Sequence, residues 1–191
     1  MKNLERGFTQ PRKYEEYAYV LDFVERGKSS TVRGREGIMV TGIGEDRLTL
    51  LEILGVPDSS FEVGERIYIG KEGRTKVLSV LGKMVYGKIS STAKNELAGV
   101  VELIVNQNEK KFIDYINNSQ PLTPRIHALE LIPGIGKTYM KLMLEEREKK
   151  KFESFDDLQN RVGLKEPIKQ ICKRILEEIT GETRMNLFVK R

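Results

Sequence analysis

Two hydrophobic periods divide this chain. Up to about residue 90 apolar and polar positions alternate in short runs, and beyond it apolar residues recur three and four apart. The first regime predicts strands over Tyr17 to Val24, Ile38 to Ile43, Arg47 to Leu54 and Arg66 to Gly70. A long or bent strand follows from Lys76 to Ile89, with Gly82 and Gly87 at bulge positions. Gly44-Glu45-Asp46 marks a hairpin. Lys28 to Gly37, KSSTVRGREG, is polar and basic and reads as a long mobile loop. Strands of this length, with glycines at bends and no helix between them, predict a small antiparallel β-barrel of the oligonucleotide-binding (OB) type over residues 1–90.

The second regime is helical. From Thr92 to Asn106, residues Leu97, Val100, Val101, Ile104 and Val105 form one apolar face, with Ser90 or Ser91 placed to cap the N-terminus. Glu109 to Asn117 predicts a second helix with Phe112, Ile113 and Ile116 inward. Asn118 to Pro121 stops it, and Thr123-Pro124 starts another that runs to Ile132. Helices with short breaks continue to about Thr180, and Leu187-Phe188-Val189 predicts a short strand or a docked tail. The expected fold class is therefore α+β in two domains. The barrel occupies 1–90, connecting helices 91–122, an all-α domain 123–180 and a C-terminal tail 181–191.

One segment interrupts the helical pattern with chemistry of its own. Residues 129–144, LELIPGIGKTYMKLML, place Pro133-Gly134-Ile135-Gly136 between apolar stretches. Gly134 and Gly136 permit positive φ and close backbone approach, and Ile135 between them is an inward anchor. A helix starting at Lys137 leaves the N–H groups of its first turn without intrahelical partners. Those groups and the helix dipole suit an anion, and Lys137 adds a charge. Gly136-Lys137-Thr138 also looks like the end of a nucleotide-binding P-loop, but Leu131 stands where that motif needs glycine and a helix, not a strand, is expected before it. The dinucleotide fingerprint fails at Tyr139.

Composition narrows the alternatives. The 191 residues are 39% hydrophobic and 32% charged, with a net charge of +5, which suits a core-forming chain with a polyanionic partner. Cys172 is the only cysteine and His127 the only histidine, so neither a disulfide within the chain nor a cysteine–histidine metal cluster can form. No apolar stretch reaches the roughly 20 residues of a membrane span. MKNLERGFTQ lacks the apolar centre of a signal peptide, so a cytoplasmic protein is expected. No catalytic constellation is recognisable, since Glu145-Glu146 and Asp156-Asp157 are neighbours that point apart on a helix. No cofactor, metal or catalytic residue is expected.

The flanks of the glycine turn carry a resemblance. Leu129, Ile132 and Pro133 before it, and Leu144 and Glu146-Arg147 after it, lead into Phe152-Glu153-Ser154-Phe155-Asp156-Asp157-Leu158. The stretch resembles the helix-hairpin-helix family, including the connector found between two such motifs in tandem. The resemblance covers about 123–180 and implies phosphate binding by Gly134, Ile135, Gly136, Lys137 and Thr138. It makes Asp156 to Val162 the first helix of a second motif, Gly163-Leu164-Lys165-Glu166 its turn and Pro167 to Ile179 its second helix. Lys165 replaces the second glycine there, so the resemblance carries phosphate-binding residues over only from the first turn, and the second suits a protein partner.

The whole chain resembles an archaeal family of unknown function, domain-of-unknown-function family 655, in which a barrel precedes tandem helix-hairpin-helix motifs. The matching features are Val63-Gly64-Glu65-Arg66, the helix start Ser91 to Leu97, and LELIPGIGK at Leu129 to Lys137. Its members are regarded as nucleic-acid- or RNA-binding, so the resemblance favours RNA, in ribosome- or translation-related work, over DNA. Basic positions Lys28, Arg33, Arg35, Arg74 and Lys76 are candidate nucleic-acid contacts, with Tyr14, Tyr17, Tyr19, Tyr68 and Tyr86 as candidate stacking platforms. The expected function is non-catalytic, largely sequence-independent nucleic-acid binding. A protein-docking module and a metal-dependent nuclease with dispersed carboxylates are the alternatives.

Overall fold

Alternation along the first strand sorts its side chains onto two faces, and each face has its own core. In β1 (Tyr17–Phe23) Ala18 and Val20 turn one way while Tyr19 and Leu21 turn the other. The computed structural model describes residues 14–24, 30–32 and 35–190. Strands β2 (Ser30–Val32), β3 (Arg35–Gly44), β4 (Leu50–Gly55), β5 (Arg66–Tyr68) and β6 (Val77–Lys83) follow. The main path runs β5-β1-β3-β4-β6, with β2 paired to the start of β3 and every pairing antiparallel.

The sheet curls into a half-barrel. Its path ends at β5 and β6, which do not pair with each other. Closure fails because β5 has only three residues, and because Arg74 lies across the gap. The Arg74 guanidinium donates to the carbonyls of Ile69 (2.8 Å) and Gly70 after β5, and of Leu78 (3.2 Å) in β6. Two register shifts in the β4–β6 pairing, around Leu78 and Leu81, blunt the other edge. The concave core holds Ala18, Val20, Val40, Leu51, Ile53, Phe61 and Ile67.

Three expectations about strands change. Ser30 pairs with Gly37 and Val32 with Arg35, so part of the segment expected as a loop is a β-ribbon, where Thr31 and Val32 favour extended backbone. The third main strand begins at Leu50 rather than Arg47, because Leu48 takes a left-handed conformation (φ 54°) and prolongs the turn. That turn is clamped: Glu15 accepts from the N–H groups of Asp46 (2.8 Å) and Arg47 (2.7 Å), and the Lys111 ammonium donates to the carbonyls of Glu45 and Asp46 (2.9 and 2.7 Å). The strand expected to reach Ile89 stops at Lys83 and gives way to a short 3-10 turn at Tyr86–Lys88, which contains Gly87.

Helices α1 (Ser91–Gln107) and α2 (Glu109–Asn118) cover the other face of the sheet. Ser90 caps α1, its Oγ accepting from the Ala93 N–H at 3.0 Å. Leu97, Val100, Val101, Ile104 and Val105 join Tyr19, Leu21, Ile43 and Leu50 in a second core that continues into the later helices. The boundary expected near Ser90 therefore runs through shared packing. A polar link reinforces it. The Tyr19 hydroxyl lies between Glu45 (3.1 Å) and Gln107 of α1 (2.5 Å), with one proton to donate to either, and Arg66 meets Glu45 through two 2.8 Å contacts while covering the Tyr17 ring at 3.4 Å. Burial and the Glu45 carboxylate push the Tyr19 phenol up to about 12, and hydrogen bonding from Arg66 lowers the Glu45 carboxyl.

The remaining elements are a ribbon of β7 (Pro121–Thr123) and β8 (Ile126–His127), a 3-10 turn at Ala128–Leu131, and helices α3 (Lys137–Lys149), α4 (Phe155–Val162) and α5 (Pro167–Thr180). The helix expected from Pro124 to Ile132 is thus a ribbon and one tight turn. Thr123 Oγ1 accepts from the N–H groups of Arg125 and Ile126, which turns the chain back on itself before a helix can form. The tail docks: the buried Glu178 carboxylate accepts from the N–H groups of Leu187 (2.7 Å), Phe188 (3.0 Å) and Val189 (2.8 Å), and Arg174 (2.9 Å) completes its shell. Among the described residues no helix is long and apolar enough to cross a membrane.

Candidate nucleic-acid interface

The 3-10 turn that leads toward α3 is opened by a capping box. His127 Nδ1 accepts from the Leu129 N–H (3.1 Å), and Glu130 accepts from the His127 N–H (3.1 Å). Since Nδ1 accepts, Nε2 carries the proton, and it is buried without a hydrogen-bond partner. Burial and the nearby Arg147 charge lower the His127 pKa. From there the Ile135 N–H reaches the Ile132 carbonyl at 3.0 Å, and Gly134 sits at φ +81°. Ile135 is buried at 4% exposure.

Gly136 is the N-cap of α3 and no side chain caps it. The helix ladder starts with the Met140 N–H on the Gly136 carbonyl at 2.9 Å, so the N–H groups of Lys137, Thr138 and Tyr139 lack intrahelical acceptors. Gly136, Lys137 and Thr138 are exposed, and the first turn carries no acidic residue. A β-carbon at Gly136 would meet nothing within 4 Å, so the face is open. Donors, dipole and the Lys137 charge coincide there.

A second turn repeats the glycine and its buried neighbour and then departs from the first. Gly163 takes φ +76° where Gly134 takes +81°, and Leu164 is buried as Ile135 is. Counted from the glycine, Glu166 aligns with Lys137 and Pro167 with Thr138, but α5 starts one residue later, so Glu166 is its N-cap, left-handed at φ 51°, and Pro167 its first residue. Proline has no N–H, and Glu166, paired with Lys169, puts negative charge at the helix start. The two turns lie side by side. The Gln170 carboxamide sits 2.8 Å from where a β-carbon on Gly134 would project, and the Tyr139 hydroxyl faces the Gly163 carbonyl at 3.5 Å.

Two arginines hold this frame. Arg147 donates to the carbonyls of Ile116 (2.8 Å) and Ser119 (3.0 Å), tying α3 to the end of α2. Arg161 donates to the last carbonyls of α3, at Glu146 (2.6 Å) and Lys150 (2.8 Å), pairs with Asp157 (3.1 Å) and covers the Phe152 ring at 4.6 Å. Their targets are backbone carbonyls distant in sequence, so no local motif announces them. The proline at the start of α5 was legible, and it is the signal that the second turn lacks a donor.

The other candidate contacts are dispersed. Lys28 and Arg33 lie outside the described residues, as do Arg12 and Lys13. Arg35 is exposed on the β2–β3 ribbon. Arg74 is occupied by three carbonyls, and Lys76 by Glu65 and the Ser60 carbonyl (2.9 Å), so both are structural rather than free contacts. Of the tyrosines, Tyr19 is buried at 1% and Tyr17 lies under Arg66, whereas Tyr14 is 64% exposed. Lys149 and Lys150 pair with Glu146 and Glu153 at the end of α3.

A family model described as a protein of unknown function, DUF655, matches residues 14–190. An uncharacterized protein of Methanocaldococcus jannaschii, MJ0038, is 41% identical over 183 residues, covering 95% of this chain and 82% of the relative. The crystal structure of Af1531 from Archaeoglobus fulgidus is similar at a TM-score of 0.79 and 40% identity, covering 92% of this chain and all of that one. The chain therefore belongs to the DUF655 family.

Proposed function

We propose that this protein is a non-catalytic, cytoplasmic nucleic-acid-binding protein that holds phosphates through Gly134, Ile135, Gly136, Lys137 and Thr138, with little dependence on base sequence. RNA, in ribosome- or translation-related work, is preferred to DNA. The carrying observation is the open first turn of α3: three N–H groups without helical acceptors, an exposed lysine and no acidic neighbour in the same turn. Ile135 anchors the turn in the core and its backbone, not its side chain, faces the ligand.

In this reading residues 123–180 are a tandem helix-hairpin-helix domain whose very first helix is reduced to the 3-10 turn at Ala128–Leu131. Residues 1–90 are an OB-like sheet domain, 91–122 the connecting helices and 181–191 a tail docked on α5. Phosphate contacts report backbone rather than bases, so affinity falls with salt. The second turn, with Glu166 and Pro167, repels an anion and suits a protein partner instead.

Mobility shifts with matched RNA and DNA, single and double stranded, across a salt series test the reading. Binding that weakens steeply with salt and favours RNA supports it. Absence of binding to any of them at low salt, by folded protein, rejects it.

A further inference from the structure

The half-barrel is left open on the side where β5 and β6 fail to meet, and a cleft of about 860 Å³ lies there. Its floor is Leu51, Ile69 and Val80, continuous with the concave core. At its rim stand Tyr14 and Tyr68, and the cations Lys71 and Lys83. Tyr14 is the most exposed large hydrophobic side chain among the described residues, and the Lys71 ammonium sits 5.5 Å from its ring centroid. Lys71 and Lys83 are exposed and form no ion pair among the described residues. Of the other charged groups on the lining, Glu15 accepts from two backbone N–H groups and Arg74 donates to three carbonyls, while Glu16, Arg47 and the exposed Glu72 complete it.

We propose that this cleft takes one nucleotide of a single strand, its base against Tyr14 over the apolar floor and its phosphate toward Lys71 and Lys83. The proposal rests on the nucleic-acid reading and gives it a second contact, away from the α3 turn. The size lies within the ~300–1,000 Å³ of small-molecule sites. An exposed aromatic beside an unpaired cation is what stacking plus phosphate attraction requires, and neither depends on base identity. The cleft walls argue against an extended peptide. A peptide would add to the sheet edge by backbone pairing, but Arg74 occupies the carbonyls of Ile69, Gly70 and Leu78, and β6 is already irregular in its pairing with β4. A nucleotide needs no such ladder.

The experiment measures anisotropy of a fluorescent single-stranded oligouridylate against the full-length protein and two variants, Tyr14→Ala and Lys71→Glu. Both sites are exposed, and circular dichroism with a melting curve checks that each variant folds. Tyr14→Ala weakens binding by about tenfold, within the range for loss of one stacked base. Lys71→Glu weakens it and lowers the salt slope by about one. A Lys137→Glu variant separates the two sites. If it weakens binding while Tyr14→Ala and Lys71→Glu match the wild type, the cleft proposal is overturned and the α3 turn stands. If Tyr14→Ala and Lys71→Glu weaken binding but Lys137→Glu does not, the cleft stands and the hairpin reading falls. No binding by the wild type overturns both. Free uridine monophosphate serves as a further arm: competition at concentrations comparable to the oligomer would reassign the cleft to a free nucleotide. Displacement by an acidic tyrosine-containing peptide, with no oligonucleotide binding, would reassign it to a protein.

Discussion

Two turns in this molecule begin with the same backbone and then part, in conformation as well as in chemistry: Gly136 caps α3 in an extended conformation, whereas Glu166 caps α5 one residue later in a left-handed one (φ 51°). Both place a glycine near φ +80° and bury the next residue, Ile135 in one and Leu164 in the other. One then presents Gly136, Lys137 and Thr138; the other presents Lys165, Glu166 and Pro167. The shared part serves packing, because a left-handed glycine lets the chain reverse while its neighbour plugs the core. The part that differs lies at the helix start, where one of three free backbone donors is lost to Pro167 and a lysine gives way to a carboxylate. Fold and ligand chemistry are thus written in separate positions of the same short segment.

The comparison can be broken or sharpened in graded steps. The largest effect is on folding. Gly134→Ala meets both a left-handed φ and the Gln170 side chain, 2.8 Å away, whereas Gly163→Ala meets only the φ in open space. Gly134→Ala should destabilise by about 1–2 kcal/mol, since the end of the Gln170 side chain has to swing aside as well, and Gly163→Ala by about 1 kcal/mol, read from urea melts. Equal losses would mean that the Gly134–Gln170 contact relaxes freely.

Next comes binding. Lys137→Glu gives the first turn the charge of the second, and should lower RNA affinity by about tenfold at low salt with an unchanged melting temperature. The reverse exchange, Glu166→Lys, should raise affinity by a smaller factor, about two- to threefold, because Pro167 still withholds its donor. A gain matching the loss at Lys137 would show that charge alone distinguishes the turns.

The smallest effect concerns pH. The first turn is entered through His127, and the second through a helix capped by Ser154, which does not titrate. The folded His127 pKa is lowered, so the unfolded chain takes up the proton first as pH falls. The stability it contributes is complete above the ordinary value near 6.5 and is lost as pH drops from there toward the folded value. Protonation also removes the Nδ1 acceptor for the Leu129 N–H and sets a charge against Arg147, with Glu130 the nearest compensation. His127→Asn should flatten stability between about pH 7 and 5 relative to the wild type.

How far the sequence could be read depended on whether the deciding contact was local. The apolar runs fell on the observed strands, Tyr17 to Val24 within one residue of β1 and Ile38 to Ile43 inside β3, because each side chain faces one of two cores, and Ser90 marked α1 because capping needs only its own next three residues. Lys137 began α3 where the glycine turn indicated. Pro124 to Ile132 was misread as helix because its threonine–proline start also suits a tight turn, and Thr123 and His127 hold that alternative. Arg74 and Lys76 are candidate contacts in the sequence, and what the sequence does not show is that their side chains have acceptors from elsewhere in the fold: the Ile69, Gly70 and Leu78 carbonyls, Glu65 and the Ser60 carbonyl. The barrel was expected to close, and whether it does depends on β5 being three residues long, which no periodicity determines. The cleft beside Tyr14 was illegible for the same reason, since it exists only because closure fails.

The most direct test of the account is the salt dependence of RNA binding for the wild type and Lys137→Glu, measured side by side. The account predicts a linear fall of log affinity with log salt concentration, and a slope smaller by about one in the variant. Identical affinity and slope for the two proteins, or no binding by either at low salt, would contradict it.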